Sequence, residues 1–506
     1  MPESPGGAGL PLRPSRPVPR PLGDLLAAVP GLRPVDRGTT GTAVHGCTLD
    51  SRAVRPGDLY AALPGARAHG ADYAVGAASA GAAAVLTDPA GTARAQATGL
   101  PVLVADDPRC VLGAVSAEVY GRPGAAMTLL GVTGTNGKTT TAFLLEAGLR
   151  AAGQVPGLVG TVVTRVGERV AASVRTTPEA PDLQGLLAAM REQGVTAVAM
   201  EVSSHALVLG RVDGLVFDVA AFTNLSQDHL DFHADMAEYE AAKAQLFTPE
   251  RSRHGLVNVD DAAGRRLAEA RRVPTSTYSA AGGPADFRAH DVALRPEGST
   301  FRLVGPGVDV PARVRLPGAF NVANAVAALG TLVLAGIDVD AAVRGVGELP
   351  GVPGRMERVD AGQPFLALVD YAHTPEAVAG LLRTVRSVTP GRVLVVLGCG
   401  GDRDRAKRPL MGRAAAQGAD VAVLTSDNPR SEDPGAILAE MAAGATGALV
   451  EPDRRTAIAR AVALARPGDA VVVAGKGHET GQEVAGVVHP FDDRAVLHEV
   501  LSRVDA

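Results

Sequence analysis

The sequence predicts an α/β protein of three domains: a small α/β domain, a central domain on a P-loop-type parallel sheet, and a C-terminal Rossmann-like, doubly wound domain. Three observations predict it. The chain has 506 residues, and at about 150 residues per domain that length accommodates three cores. An apolar run passes through a glycine loop directly into a helical stretch at Thr128–Thr141. The last third carries four continuous apolar runs, each followed at once by a polar or glycine-rich cluster, as expected of parallel strands covered on both faces.

Residues 1–21 are rich in Pro, Gly and Arg and contain no apolar core; they read as a disordered extension and not as a signal peptide. From 22 to 126, short apolar runs such as Asp58–Leu63, Ala83–Thr87 and Pro101–Ala105 alternate with turn signals, which predicts the small domain. From 127 to 350 the glycine loop is followed by buried runs at Ala197–Met200 and Val216–Phe222. Leu349-Pro-Gly-Val-Pro-Gly354 reads as a linker. In the domain over 351–506, strands are expected at Phe365–Val369, Val393–Leu397, Val421–Leu424 and Ala470–Val473. Ligands in such sheets bind beyond the carboxyl ends of the strands.

The net charge of -5 leaves no basic footprint for nucleic acid or an anionic membrane. No run of 18 apolar residues predicts membrane insertion. Cys47, Cys110 and Cys399 are scattered, without metal-knuckle or disulfide spacing, and a cytoplasmic location is expected. Only four of the 49 basic residues are lysine: Lys138, Lys243, Lys407 and Lys476. Arginine cannot replace lysine as a compact charge between phosphates or as a reactive amine, so the four survivors point at chemistry.

In Thr128-Leu-Leu-Gly-Val-Thr-Gly-Thr-Asn-Gly-Lys-Thr-Thr-Thr141, successive backbone amides and the amino end of a helix form an anion nest. Lys138 is suited to phosphates and the Thr139 hydroxyl to Mg²⁺. The strict P-loop spacing is broken, because Val132 stands where its first glycine would be. Glu201, at the end of one apolar run, is a hard oxygen donor suited to Mg²⁺. Lys243 by itself reads as a surface helix lysine.

Thr133-Gly-Thr-Asn-Gly-Lys-Thr-Thr140 resembles the nucleotide loop of the Mur ligase family, the ATP-dependent amide-forming enzymes of peptidoglycan precursor synthesis, to which folylpolyglutamate synthetases are related. Met200-Glu-Val-Ser-Ser-His205, Asn224-Leu-Ser-Gln-Asp-His-Leu-Asp-Phe-His233 and Tyr239-Glu-Ala-Ala-Lys243 match the family in order. The resemblance implies ATP held by Gly134, Thr135, Asn136, Gly137, Lys138, Thr139 and Thr140, with Asn324, Arg355 and Asp370 closing over it. It implies Mg²⁺ on Thr139, Glu201 and His229, and on a CO₂-derived carbamate of Lys243. Lys138, Lys243 and His229 are then the catalytic group.

Thr48-Leu-Asp-Ser-Arg-Ala-Val-Arg-Pro-Gly-Asp-Leu59 resembles the uridine-binding segment of family members that take UDP-N-acetylmuramoyl peptides. It implies Ser51 and Arg52 near the UDP, and Thr176, Thr177, Ser204 and Arg211 at the muramoyl dipeptide. His69 and Leu209 depart from the family's usual residues. In the third domain, Asp427-Asn-Pro-Arg430 alone reads as a turn. Beside Cys399-Gly-Gly-Asp-Arg-Asp-Arg-Ala-Lys-Arg-Pro409 and Gly475-Lys-Gly-His-Glu479 it resembles the pattern for meso-diaminopimelate. Arg430 is a bidentate donor for a distal carboxylate and Glu479 an acceptor for a distal ammonium, with Arg403, Asp427, Asn428 and Gly475 around them.

The expected activity is therefore ATP-dependent addition of meso-diaminopimelate to the D-glutamyl residue of UDP-N-acetylmuramoyl-L-alanyl-D-glutamate through an acyl phosphate, by a monomer. An L-lysine-adding member of the same family and a P-loop regulatory module are the alternatives.

Overall fold

The computed structural model describes residues 13–504, apart from 37 and 174. Three sheets organise the chain. The first has the strand order Arg33–Pro34, Val102–Val104, Ala84–Thr87, Asp58–Ala61, Gly46–Thr48, parallel except for the antiparallel edge at Arg33–Pro34. Leu59, Leu86, Leu103 and Leu112 fill one of its faces. The helix Pro108–Val119 starts where Pro108 follows Asp107, whose carboxylate accepts from Arg109 N and Cys110 N, so orphan amides find a partner where proline needs none.

The reading of residues 1–21 as a disordered extension is corrected from Arg13 onward; residues 1–12 lie outside the described residues. Arg13 makes a 2.6 Å ion pair with the buried Asp58 and donates to Cys47 O. Ser15 N, Ser15 Oγ and Arg16 N all donate to Glu192, and Arg20–Pro21 pairs with Ala43–Val44. Composition alone does not show that a buried Asp58 requires a cation from outside its own sheet.

The second sheet has eleven strands. At its centre Thr128–Thr133 lies between Ala197–Glu201 and Phe217–Phe222, all parallel. The expectation of a parallel sheet holds for seven of the eleven strands, from Pro156–Val159 through this centre, Ser252–Asn258 and Thr275–Ser279 to Phe287–Arg295. Val163–Val166 and Arg169–Ala172 extend it by antiparallel pairing on Pro156–Val159 at one edge, and Gly298–Gly305 and Val308–Val314 do so on Phe287–Arg295 at the other. Their connections are too short for crossover helices, so the strands reverse as hairpins. The outer strands alternate buried and exposed residues, as in Gly298–Gly305, because one face meets water. The helices Lys138–Ala151 and Ala319–Leu334 bury one face of the centre, and Ala180–Glu192 packs on the other.

The third sheet has the order Glu357–Arg358, Leu366–Asp370, Ala470–Ala474, Val393–Cys399, Val421–Ser426, Leu449–Val450. All strands but the first are parallel. The late strand Ala470–Ala474 inserts between two earlier ones, so the carboxyl ends at Asp370, Ala474, Cys399 and Ser426 lie side by side. Three helices cover one face; Arg454–Leu464 and Asp493–Val504 cover the other. Arg454 and Asp493, both without exposed surface, form a 2.6 Å ion pair, and Arg454 Nη2 also donates to Ala474 O at 2.9 Å. That pair anchors the strand end from which Gly475 departs.

Candidate active site

The glycine loop leaves its strand at Thr133 and enters a helix at Lys138. Gly134 and Gly137 have φ of 143° and 87°, conformations that glycine adopts without strain. Space is closed to a side chain as well: a Cβ on Gly134 would strike Thr223 Oγ1, and one on Gly137 would strike Asn324 Oδ1. The loop is tied to the neighbouring strand end through Thr135 N to Asn224 O, 2.8 Å, Asn136 N to Asn224 Oδ1, 2.9 Å, and Thr223 Oγ1 to Asn136 O, 2.6 Å.

Lys138 Nζ folds back onto Gly134 O and Thr135 O, 2.9 Å from each. Burial pulls its pKa below the ordinary lysine value, against the nearby Glu201 and Asp228. Thr139, first residue after Lys138, donates to Glu201 Oε2 at 3.1 Å. Glu201 also receives Thr161 N at 2.7 Å and Thr161 Oγ1 at 3.0 Å. Arg355 Nη2 crosses from the third domain to Thr139 Oγ1 at 3.0 Å, with its guanidinium over the Tyr371 ring at 4.3 Å. Asp370 accepts from Met356 N and Ala372 N, both at 2.7 Å, and burial pushes its carboxyl up. Asn324 donates to Asn321 Oδ1 at 3.1 Å, and Thr140 is buried beside Thr139.

Lys243 Nζ donates to Gly134 O at 2.8 Å and lies 4.3 Å from the Tyr239 ring centre. It is 2% exposed; the helix face that sequence alone would leave in water is turned inward. Burial lowers its pKa well below the ordinary lysine value, and Lys138 adds to the effect. His229 has φ 55°, a conformation uncommon outside glycine. Burial, with His205, Lys138 and Lys243 nearby, pushes its imidazole down to about 3.

Four of the residues assigned to the muramoyl dipeptide gather at the end of Ala197–Glu201. Thr177 Oγ1 donates to Glu201 O at 2.9 Å, Thr176 Oγ1 is 2.9 Å from Thr161 Oγ1, and Ser204 Oγ is 3.0 Å from His233 Nε2. Arg211 donates to Thr177 O at 3.2 Å and pairs with Glu179 at 2.8 Å. Ser51 and Arg52 stand apart, in the turn after Gly46–Thr48. Arg52 is exposed and forms a fork on Asp50 at 2.9 Å. His69 accepts from Ala71 N and lies 3.0 Å from Asp88, capping a short turn.

In the third domain the two loops at the sheet's carboxyl ends meet. Gly401 N donates to Asn428 O, and Arg430 Nη1 to Gly401 O at 2.5 Å; Arg430 has φ 52°. Asn428 Nδ2 donates to Glu479 Oε2 at 2.8 Å. Lys476, without exposed surface, donates to Asn428 Oδ1 and Glu479 Oε2, each at 3.0 Å. A Cβ on Gly475 would sit 2.7 Å from Asp427 Oδ2. Arg403 faces the central domain, 3.3 Å from Asp231.

Sequence reasoning missed Asp228. This carboxylate is 8% exposed and has His229 at 3.5 Å, His373 at 3.7 Å and Lys407 at 4.0 Å. Burial pushes it up, but His373, His229 and Lys407 prevail and hold it well below the usual carboxylate range. Its position directly before His229 was the available signal. Thr161, on Glu201, had none.

Fold and site together define the class, a three-domain phosphate-loop protein whose glycine loop is met by an arginine from the third domain. Profiles of the Mur ligase family match in register: its catalytic domain at residues 43–120, its middle domain at 132–332 and its glutamate ligase domain at 354–477. The chain belongs to the Mur ligase family. It is 58% identical over 503 residues to the UDP-N-acetylmuramoyl-L-alanyl-D-glutamate–2,6-diaminopimelate ligase of Streptomyces avermitilis, covering 97% of this chain and 98% of that one. To the ligase of the same name from Corynebacterium glutamicum it is 50% identical, covering 91% and 92%. A solved structure of a ligase of that name is 35% identical, with a TM-score of 0.67 over 93% of this chain and 97% of that one. The folylpolyglutamate synthase of Mycobacterium tuberculosis, 20% identical, shares the fold with a TM-score of 0.59 over 72% and 91%.

Proposed function

We propose that this ligase joins meso-2,6-diaminopimelate to the D-glutamyl residue of UDP-N-acetylmuramoyl-L-alanyl-D-glutamate at the expense of ATP, in peptidoglycan precursor synthesis. The observation that carries the choice of amino acid is the gathering of the Arg430 guanidinium and the Glu479 carboxylate at the carboxyl ends of the third sheet, where Asn428 Nδ2 donates to Glu479 Oε2 and Arg430 Nη1 to Gly401 O. A carboxylate acceptor and a guanidinium donor together suit a zwitterionic distal head, which L-lysine lacks.

In this reading the D-glutamyl γ-carboxylate attacks the γ-phosphorus of ATP, giving an acyl phosphate and ADP. The free amine of diaminopimelate then attacks the acyl carbon, and inorganic phosphate leaves. Lys138 transfers its ammonium from the carbonyls of Gly134 and Thr135 to phosphate oxygens, and Arg355 reaches the same phosphates from the third domain. Positioning and charge stabilisation of this kind account for most of phosphoryl-transfer catalysis. Docking of the third domain keeps water from the acyl phosphate.

The Thr139 hydroxyl and Glu201 carboxylate, 3.1 Å apart beside the loop, are hard oxygen donors that suit Mg²⁺, which when bound neutralises phosphate charge. His229 offers a further ligand. Lys243 offers an oxygen only as its carbamate, and its buried amine, held toward the neutral form, is the species that reacts with CO₂. Thr176, Thr177, Ser204 and Arg211 receive the dipeptide, Ser51 and Arg52 the UDP. The enzyme works as a cytoplasmic monomer; among the described residues no helix is long and apolar enough to cross a membrane.

The test is phosphate release with ATP and the UDP-muramoyl dipeptide, comparing meso-diaminopimelate with L-lysine. Release dependent on the dipeptide and far faster with meso-diaminopimelate is expected. Release indifferent to both substrates would overturn the reading in favour of a nucleotide switch.

A further inference from the structure

Glu479, the acceptor assigned above to the distal ammonium, is already engaged. Its Oε2 receives Lys476 Nζ at 3.0 Å and Asn428 Nδ2 at 2.8 Å, so much of its charge is answered inside the protein. A second carboxylate stands at the same place. Glu483 Oε2 is 3.6 Å from Arg430 Nε, its single ion-pair contact among the described residues, with 39% of its side chain exposed.

Glu483 is held there by its backbone. It lies in the hairpin Gly481–Val484 and Val487–Pro490, which is sewn to the Asp427–Arg430 segment at four points. Arg430 N donates to Glu483 O at 3.0 Å and Ala485 N to Arg430 O at 2.7 Å. Glu483 N donates to Asn428 Oδ1 at 3.0 Å, and Gln482 Nε2 to Asp427 O at 2.8 Å. The hairpin therefore sets both the left-handed backbone of Arg430 and the location of the Glu483 carboxylate.

We infer that Glu483 is a further specificity-determining residue of the amino-acid site, sharing the distal ammonium with Glu479 while Arg430 reads the distal carboxylate. This rests on the reading of Arg430 given above. A guanidinium and a carboxylate held side by side present the reverse of a zwitterion: the distal carboxylate takes Arg430, and the ammonium beside it takes Glu483. An amino acid with a distal carboxylate but no distal ammonium gains from Arg430 and is repelled by Glu483. Discrimination then comes from an unfavourable pairing as well as a favourable one.

The experiment measures kcat/KM for meso-diaminopimelate and for 2-aminopimelate, which has the distal carboxylate and lacks the ammonium, at saturating ATP and UDP-muramoyl dipeptide. Glu483→Gln keeps a hydrogen-bonding group on the hairpin. It is expected to lower kcat/KM for meso-diaminopimelate about fivefold, through KM, the size of a partly exposed charge pair, and to leave 2-aminopimelate unchanged or improved. Glu483→Ala should do the same. Equal effects on both compounds, no effect, or a gain for meso-diaminopimelate would overturn the inference. Arg430→Ala separates the two levels. Loss of both compounds upholds the reading of Arg430, whereas two unaffected compounds would remove that reading and this inference with it.

Discussion

Lys138 and Lys243 donate to the same backbone carbonyl, Gly134 O, at 2.9 and 2.8 Å. One amine arrives from the helix that follows the loop and the other from a helix about a hundred residues later in the chain, so the first glycine of the loop gathers both. Lys138 lowers the pKa of Lys243 in addition to the effect of burial, because two ammonium groups so close repel.

The shared carbonyl predicts separable losses. Lys138→Ala should reduce phosphate release by at least about 10²-fold, the usual effect of removing one preorganised charge from a transition state. Lys243→Ala should retain ATP binding, measured by calorimetry, while losing turnover. For a buried lysine whose pKa is lowered, the neutral amine persists to lower pH than in an ordinary lysine. Carbamate on wild-type Lys243, read as a bicarbonate-dependent mass increase, should therefore form near neutral pH, whereas exposed lysines would require more alkaline solution.

Gly137→Ala should weaken ATP binding sharply. The new methyl meets Asn324 Oδ1 and the residue must hold φ 87°, a left-handed conformation costing about 1–2 kcal/mol outside glycine. Gly153→Ala is the control, with φ 78° and nothing within 4 Å of its Cβ. It should show the backbone cost in thermal stability and leave the Kd for ATP unaltered. Equal Kd values in the two variants would contradict the steric argument.

Arg454→Ala should destabilise the protein by about 3–5 kcal/mol, because Asp493 is left charged and buried without a partner. Replacing both by apolar residues, Arg454→Met with Asp493→Leu, should recover most of that loss. Chemical denaturation followed by tryptophan-free probes such as circular dichroism measures both.

Arg408, with no exposed side-chain surface, pairs with Glu432 at 2.7 Å and Glu440 at 2.8 Å. Its hydrogen bonds hold the Glu432 carboxyl down from the usual 4.5 to about 2. A depressed carboxyl contributes stability that is whole above its unfolded pKa and is lost as pH falls through the folded one. Stability from this pair should therefore be intact above pH 4.5 and drain away toward pH 2. Glu432→Gln should flatten that part of a pH–melting curve and leave its neutral limb parallel to wild type.

Much of the nucleotide site was legible because it is contiguous. Gly134 to Thr140 lies on one strand–loop–helix passage, and backbone geometry allows few other residues there. Glu201 was legible because a buried strand announces its own end, whereas His229, seven residues beyond the strand that ends at Phe222, was placed only by the family resemblance. Asp228 was not, since nothing in a linear chain says that His373 and Lys407, some 145 and 179 positions onward, will face it.

By itself the sequence determined the three layered cores, the loop, and the chemical kinds of residue available for ligands, because apolar periodicity and glycine spacing are local constraints. Only the tertiary structure decided that Lys243 faces inward onto Gly134, that Arg13 and Ser15 tie the start of the chain to two domains, and that Glu483 stands beside Arg430. Those are long-range pairings of polar groups. Whether a charge lies in water or beside a partner depends on what packs over it, and that information is distributed over the whole chain.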